Sequence, residues 1–263
     1  MGKSLGIFDS GLGGLTVLRE VLKANRYDRI VYFGDTGRVP YGTRSREIIE
    51  KYAMQDVRFL LSKNIDEIIV ACGTVSANAL DSLKAAFSQP ITGVIDVSAT
   101  AAVRETKNGR IGVIGTKATI QSQVYPQKIR ALSPQMQTFC VPCPLFVPLV
   151  EYGFARARSE IVDGTCEFYL KSLKEQGIDT LILGCTHYPL LKDPIARYLG
   201  DGVTLIDSGV ELAEKLQTQP PRCTAPELSF YVSDDAASFT ENATVFLGGG
   251  LEPRAECIDI QKY

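Results

Sequence analysis

The sequence predicts an α/β protein made of two similar, pseudo-symmetric open parallel-sheet domains with a site in the cleft between them, and three observations carry that prediction. Short apolar runs alternate with amphipathic helical stretches along most of the chain, the pattern of strand–helix–strand crossovers. The order of strand, loop and helix in the first hundred or so residues starts again near Ile111, as in a diverged duplication. Each half also places a cysteine just after an apolar run. Glu67-Ile68-Ile69-Val70 leads into Ala71-Cys72-Gly73-Thr74, and Thr180-Leu181-Ile182-Leu183 leads into Gly184-Cys185-Thr186-His187.

A chain of 263 residues suffices for one large domain or two small ones. Hydrophobic content of 45% and charged content of 22% are those of an ordinary globular protein. The net charge of −2 and isoelectric point near 5.6 give no electrostatic case for nucleic acid or an anionic membrane as partner. No apolar run approaches the roughly 18 residues of a membrane span, and no basic-then-apolar leader precedes Leu5, so a cytoplasmic protein is expected. Seven cysteines, odd in number and irregularly spaced, argue against a disulfide framework and for a reducing compartment.

The first strand is Leu5-Gly6-Ile7-Phe8, followed by the turn Asp9-Ser10-Gly11-Leu12-Gly13-Gly14 and a helix from Leu15 to Lys23. Glycines there permit a tight turn with exposed N–H groups, an anion cradle in outline, although the spacing is neither that of a dinucleotide fingerprint nor of a Walker loop. A second strand, Arg29 to Phe33, opens into the Gly- and Pro-containing loop Gly34 to Gly42, where Tyr41 reads equally as a ligand contact or a cap on the core. The spacing of Ile48, Ile49, Tyr52, Ala53, Val57, Leu60 and Leu61 places a helix over 46–62. After Cys72 a helix is expected over Ser76 to Ala86, then a strand over Ile91 to Val97 that ends at Asp96.

Ile111 to Gly115 then mirrors Leu5 to Asp9, with Gly115 in the place of Asp9, Thr116 in the place of Ser10, and a helix from about Ala118. Gly115 precedes Cys185 by 70 residues, against 63 from Asp9 to Cys72; Cys185 precedes Asp207 by 22, against 24 from Cys72 to Asp96. In the tail, Leu228 to Val232 reads as strand-like and Ala243 to Leu247 as a second short run. The Pro220-Pro221 break suggests a tail attached after the second domain closes.

Both cysteines fall at the carboxyl end of a strand beside an expected helix start. That edge is where open α/β sheets bind ligands, and helix N–H groups are expected to lower the pKa of a nearby thiol. A free cysteine is usually a small buried hydrophobe; the duplicated context sets these two apart. The single histidine, His187, lies two residues from Cys185, and Asp9 projects from the strand tip neighbouring Cys72, so each thiol has one titratable helper. Two acid/base groups on opposite walls of a cleft fit the inversion of a stereocentre by proton transfer, with a base on one face of the carbon and an acid on the other. No cofactor lysine signature is evident, so the carbanion falls to the site itself to stabilise. Backbone N–H groups and the hydroxyls of Ser10, Thr74, Thr116 and Thr186 would hold a carboxylate.

The stretches FDSGLGGLTVL, GDTGRVPYG, ACGTVSAN, CPLFVPLVE and LGCTHYPL, in this order, resemble the bacterial glutamate racemase family over nearly the whole chain. The resemblance implies cofactor-independent, metal-free interconversion of L- and D-glutamate, supplying D-glutamate for peptidoglycan. By position it makes Cys72 and Cys185 the two proton donors and acceptors, Cys185 facing the L enantiomer, with Asp9 and His187 as their helpers. Glu151, which alone reads as a surface carboxylate, matches the family's acidic residue near the second cysteine. Ser10, Tyr41, Gly42, Thr74 and Thr186 match substrate contacts. The family's fold brings the C-terminal tail back to the first domain, giving domains over 1–97 plus 208–263 and over 98–207. Glutamate is the implied partner, with no nucleic acid or membrane and with a homodimer left open. One departure stands out: the family usually has Asn after the first cysteine and this chain has Gly73, whose backbone N–H alone remains to meet substrate.

Three other readings compete. One is a racemase for aspartate or another acidic amino acid; another is a non-catalytic amino-acid-binding module that kept the cleft. The third is a thiol oxidoreductase using Cys140-Val-Pro-Cys143, whose C-x-x-C spacing also suits half a zinc site, although no second ligand pair lies at finger-like spacing and Pro142 and Pro144 suit an ordinary turn. Cys166, Cys223 and Cys257 read as structural.

Overall fold

Two all-parallel sheets organise the protein, seen in a computed structural model that describes residues 3–156, 158–217, 222 and 224–263. The first half runs β1 (Ser4–Asp9), α1 (Leu15–Ala24), β2 (Arg29–Gly34), α2 (Arg46–Leu61), β3 (Glu67–Val70), α3 (Gly73–Asn78), α4 (Leu80–Ala86), β4 (Ile91–Gly93) and α5 (Ile95–Glu105). The second runs β5 (Arg110–Gly115), α6 (Lys117–Gln121), α7 (Val124–Leu132), β6 (Gln137–Pro142), α8 (Phe146–Glu151), α9 (Glu160–Glu175), β7 (Thr180–Leu183), α10 (Lys192–Leu199), β8 (Thr204–Asp207) and α11 (Ser208–Leu216). The tail adds β9 (Glu227–Val232), α12 (Ala236–Leu247) and β10 (Ala255–Cys257).

The first sheet has the order β10-β9-β2-β1-β3-β4 and the second β6-β5-β7-β8, so β2-β1-β3-β4 and β6-β5-β7-β8 are the same arrangement used twice. Central strands are apolar on both faces because crossover helices cover both: all of β1 and all of β7 is buried. The registers agree as well. Phe8 pairs with Val70 and Ile114 with Leu183, and just beyond them the N–H of Ala71 donates to the Phe8 carbonyl at 3.0 Å and that of Gly184 to the Ile114 carbonyl at 2.8 Å. Cys72 and Cys185 therefore leave their sheets at equivalent points. The tail joins the first sheet, β9 pairing with β2 and β10 with β9, while α11 packs on α1 and α5 at the junction of the halves. The expected division at 97/98 falls inside α5, and the one at 207/208 where β8 meets α11.

Three expected elements differ. The strand expected over Ile91–Val97 ends at Gly93, and Asp96 lies in the first turn of α5. Only Ile91–Gly93 has a partner on β3, and beyond it the buried Ile95, Ser98, Ala99 and Ala102 follow helical spacing. Asp207 ends β8 opposite Leu183, so its counterpart in the first half is Gly93 opposite Val70 and not Asp96. Ala243–Leu247 is the last stretch of α12, where Phe239, Ala243, Phe246 and Leu247 form one buried face. The helix after Cys72 begins at Gly73, breaks at Ala79 and resumes as α4. A strand the sequence reading did not place, β6, completes the second set of four. Pro220-Pro221 and Cys223 lie outside the described residues. Among the described residues no helix is long and apolar enough to cross a membrane.

Candidate active site

The carboxyl ends of the central strands of both sheets open into one cavity of about 280 Å³, lined from the first half by Ser10, Tyr41, Gly42, Cys72, Gly73 and Thr74 and from the second by Thr116, Glu151, Cys185, Thr186 and His187. Every residue singled out from sequence as substrate- or proton-handling lines it except Asp9. Asp9 ends β1 fully buried behind the wall, accepting from the Gly11 N–H at 3.0 Å and from the Thr186 hydroxyl at 3.3 Å. It thus braces the second half's loop as well as neighbouring Cys72. Burial pushes its carboxyl up from the ordinary range, against the pull of His187 and the hydrogen bonds it accepts.

Cys72 is the N-cap residue of α3, is almost fully buried, and donates through sulfur to the Ser10 hydroxyl at 3.7 Å. The expectation that a helix N-terminus lowers its pKa is not met. Burial, with the Asp9 charge adding to it, pushes the thiol up to about 12 and outweighs the lowering effect of its hydrogen-bond contacts with the Val75 backbone and the Ser10 side chain. The helix start expected beside Cys185 is a 3-10 turn over Tyr188–Leu191, with His187 at its N-cap, which runs into α10 at Lys192. The His187 Nδ1 lies 3.9 Å from the Cys185 sulfur and its Nε2 lies 2.9 Å from Glu151 Oε1. Burial opposes charge on the imidazole, but the hydrogen bonds and negative charges of Cys185 and Glu151 prevail and lift it to about 10. The ring is therefore a cation at neutral pH, placed beside the Cys185 sulfur.

The hydroxyls of Thr74 and Thr116 meet across the halves at 2.9 Å, and Thr116 also caps α6 by accepting from the Thr119 N–H. Gly73 is placed by contact: a Cβ there would lie 2.4 Å from the Gly184 carbonyl oxygen, so as the chain is folded no side chain fits and the two cysteine loops touch through backbone. Gly42 sits likewise against Thr116, where a Cβ would come within 2.7 Å. Tyr41 lines the cavity, but its hydroxyl turns away to donate to Asp35, whose other carboxylate oxygen accepts from Ser233 at 2.7 Å; Arg38 binds both Asp35 and Asp56. Pro40, Tyr41, Gly42 and Thr43 form that lip of the cavity, with the Tyr41 phenol committed to Asp35. Among the residues that sequence reasoning did not single out, Thr43, Lys117, Val147 and Pro148 also line the cavity. Val147 and Pro148 fall within CPLFVPLVE, and adjacency to Gly42 and to Thr116 is the signal for Thr43 and Lys117.

Cys140 and Cys143 do not form a pair. They lie on β6 and just past its end, where three residues of extended chain span about 10 Å; their side chains join different core clusters, beyond the reach of a disulfide. Burial pushes both thiols up, Cys140 to about 11. Among the described residues no cluster of three or more His, Cys, Asp or Glu side chains could hold a metal ion.

Residues 16–216 match the family of Asp/Glu/hydantoin racemases. A glutamate racemase of Geobacter metallireducens is 43% identical over 256 residues, 95% of this chain and 94% of its own length. The crystal structure of a Bacillus anthracis glutamate racemase isoform superposes with a TM-score of 0.92 at 36% identity, covering 98% of this chain and 97% of that one. The Francisella tularensis glutamate racemase, crystallised with D-glutamate, gives 0.89 at 34% identity over 99% of both chains.

Proposed function

The chain belongs to the Asp/Glu/hydantoin racemase family, and from that premise we propose that it interconverts L- and D-glutamate by passing a proton between Cys72 and Cys185. The relatives named above are glutamate racemases across nearly their whole length, which supports glutamate over other acidic amino acids. The observation that carries the two-thiol mechanism is that the cysteines leave two equivalent sheets at equivalent points and line one cavity. In the L-to-D direction the Cys185 thiolate takes the α-proton, the C–H electron pair passes into the α-carboxylate, and the Cys72 thiol delivers its proton to the opposite face of the flattened carbon. Cys185 ends as thiol and Cys72 as thiolate, and the reverse reaction restores them.

Hydrogen-bond donors must meet the growing charge on the carboxylate, and the hydroxyls of Ser10, Thr74 and Thr116 with nearby backbone N–H groups are the donors at hand, that of Thr186 being given to Asp9. His187, held by Glu151, balances the thiolate at Cys185; Asp9 acts at the other thiol. The reaction needs no cofactor in this scheme. We place the enzyme in the cytoplasm, making D-glutamate for peptidoglycan; its free cysteines suit that compartment.

The test follows the proton. With L-glutamate in heavy water, a Cys72 thiol exchanged with solvent delivers a deuteron, so at early times D-glutamate carries deuterium and the remaining L-glutamate does not. Mass spectrometry of the separated enantiomers in the first few per cent of reaction reads this. Product rich in protium would mean a single base swinging between faces, and would sink the two-thiol scheme even with racemisation intact.

A further inference from the structure

His187 is the only histidine in the chain, and the groups around its ring come from four separate stretches. Two are its hydrogen-bond partners, Cys185 at 3.9 Å from Nδ1 and Glu151 at 2.9 Å from Nε2. The third is the loop before α1, where a Cβ on Gly13 would lie 2.5 Å from Nδ1 and 2.6 Å from Cε1, leaving no room for even a methyl group. The fourth is Phe246, whose ring stands edge-to-face with the imidazole, centroids 5.4 Å apart at 87°.

Phe246 lies in the last turn of α12, a helix tied to the first sheet through β9 and β10. Seven residues earlier, on the same helix face, Phe239 packs against Tyr32 at 6.0 Å and Phe230 at 6.5 Å, and the Tyr32 hydroxyl donates to the Gly11 carbonyl at 2.7 Å. One face of α12 thus reaches from the core of the first sheet to the imidazole of the second half. An imidazole bonded through both nitrogens has little rotational freedom that keeps both bonds, and space beside the ring would let it leave them.

We propose that Phe246 is a positioning residue for the racemisation: with Gly13 it holds the His187 ring where both nitrogens find their partners, and so makes the acid/base group of the second domain depend on the docked tail helix of the first. The proposal rests on the reading of His187 as the helper of Cys185. The charges that the imidazole meets are those of Cys185, Glu151 and Asp9; loss of the first two contacts returns it towards an ordinary histidine.

The test is a double-mutant cycle with Phe246→Leu, which keeps an apolar side chain in place, and His187→Asn. Circular dichroism and thermal unfolding first establish that each variant is folded. Misplacement of a catalytic group by about an ångström costs up to about a hundredfold, so Phe246→Leu is expected to lower kcat/KM by tenfold to a hundredfold in the parent protein and by nothing further in His187→Asn. A loss of the same size in both backgrounds, or none in the parent, overturns the proposal. Because there is one histidine, its imidazole ¹⁵N titration needs no assignment and is independent of turnover. Phe246→Leu is expected to move that titration downward from about 10. An unmoved titration overturns the positioning role. A protein that fails to racemise glutamate but whose titration moves refutes the functional reading alone.

Discussion

The two cysteine loops occupy equivalent places in a duplicated scaffold and differ in nearly everything chemical. Counting from the matched strand ends, Cys72-Gly73-Thr74 aligns with Cys185-Thr186-His187, so the position that carries the imidazole in one half carries a threonine in the other. Cys72 is buried near a carboxylate, with its thiol pushed up to about 12; Cys185 is half-exposed beside an imidazole that stays charged to about 10. The duplication therefore fixed where the two thiols stand, at equivalent strand ends on one cavity, while their neighbours diverged. The difference teaches that a symmetric fold suffices to bring two thiols to one cavity, and that the environment it gives them need not be symmetric: burial and a carboxylate raise the pKa of the one, while an imidazolium stands beside the other.

The sharpest way to break this comparison is to remove each sulfur. Cys72→Ala and Cys185→Ala are each expected to abolish racemisation, whereas Cys140→Ala and Cys143→Ala, away from the cavity, are expected to retain most of it. Circular dichroism following L-glutamate reads the loss. A folded Cys143→Ala protein as inactive as Cys72→Ala would overturn the assignment of the pair.

Removing the helpers has a smaller effect and probes the asymmetry itself. General acid/base assistance contributes about 10² to 10⁴ in rate, and His187→Asn and Asp9→Asn are expected to lose activity in that range. Enantiomers have an equilibrium constant of unity, so kcat/KM must fall alike in both directions; the asymmetry has to be read from isotope effects. In His187→Asn the step at Cys185 becomes slower, so α-deuterated L-glutamate is expected to show a larger primary effect and α-deuterated D-glutamate a smaller one. Asp9→Asn is expected to reverse that pattern. Identical effects in both variants would mean the two residues do not serve separate thiols.

The smallest expected effect is on pH dependence. The folded His187 holds its proton to about 10, above the ordinary 6.5, so the stability of its charged contacts is complete below 6.5 and is lost as pH rises through 10. Activity in both directions is expected to fall over the same alkaline range, before the Cys72 thiol titrates near 12. Both the stability loss and the activity limb should vanish in His187→Asn. A limb that survives the substitution would assign it to another group.

The linear chain by itself determined the repeated order of strands and helices, because parallel strands buried on both faces must be continuous apolar runs and crossover helices must be amphipathic. It also determined the five motifs that end those strands, and with them every cavity-lining residue except Thr43, Thr116 and Lys117, Thr116 being marked instead by the repeat of Ser10. Sequence reading misjudged short runs such as Ile91–Val97 and Ala243–Leu247, where strand and helix periods overlap and only the presence of a neighbouring strand decides. Only the tertiary structure decided the charge states, since desolvation of Cys72 and the pairing of His187 with Glu151 depend on what surrounds a group rather than on its neighbours in the chain. The same holds for the contacts across the halves: Asp9 with Thr186, Gly73 against Gly184, and Phe246 on His187. These join residues about 60 to 180 positions apart, and no local pattern encodes a contact whose partner is brought up by the closing of two sheets.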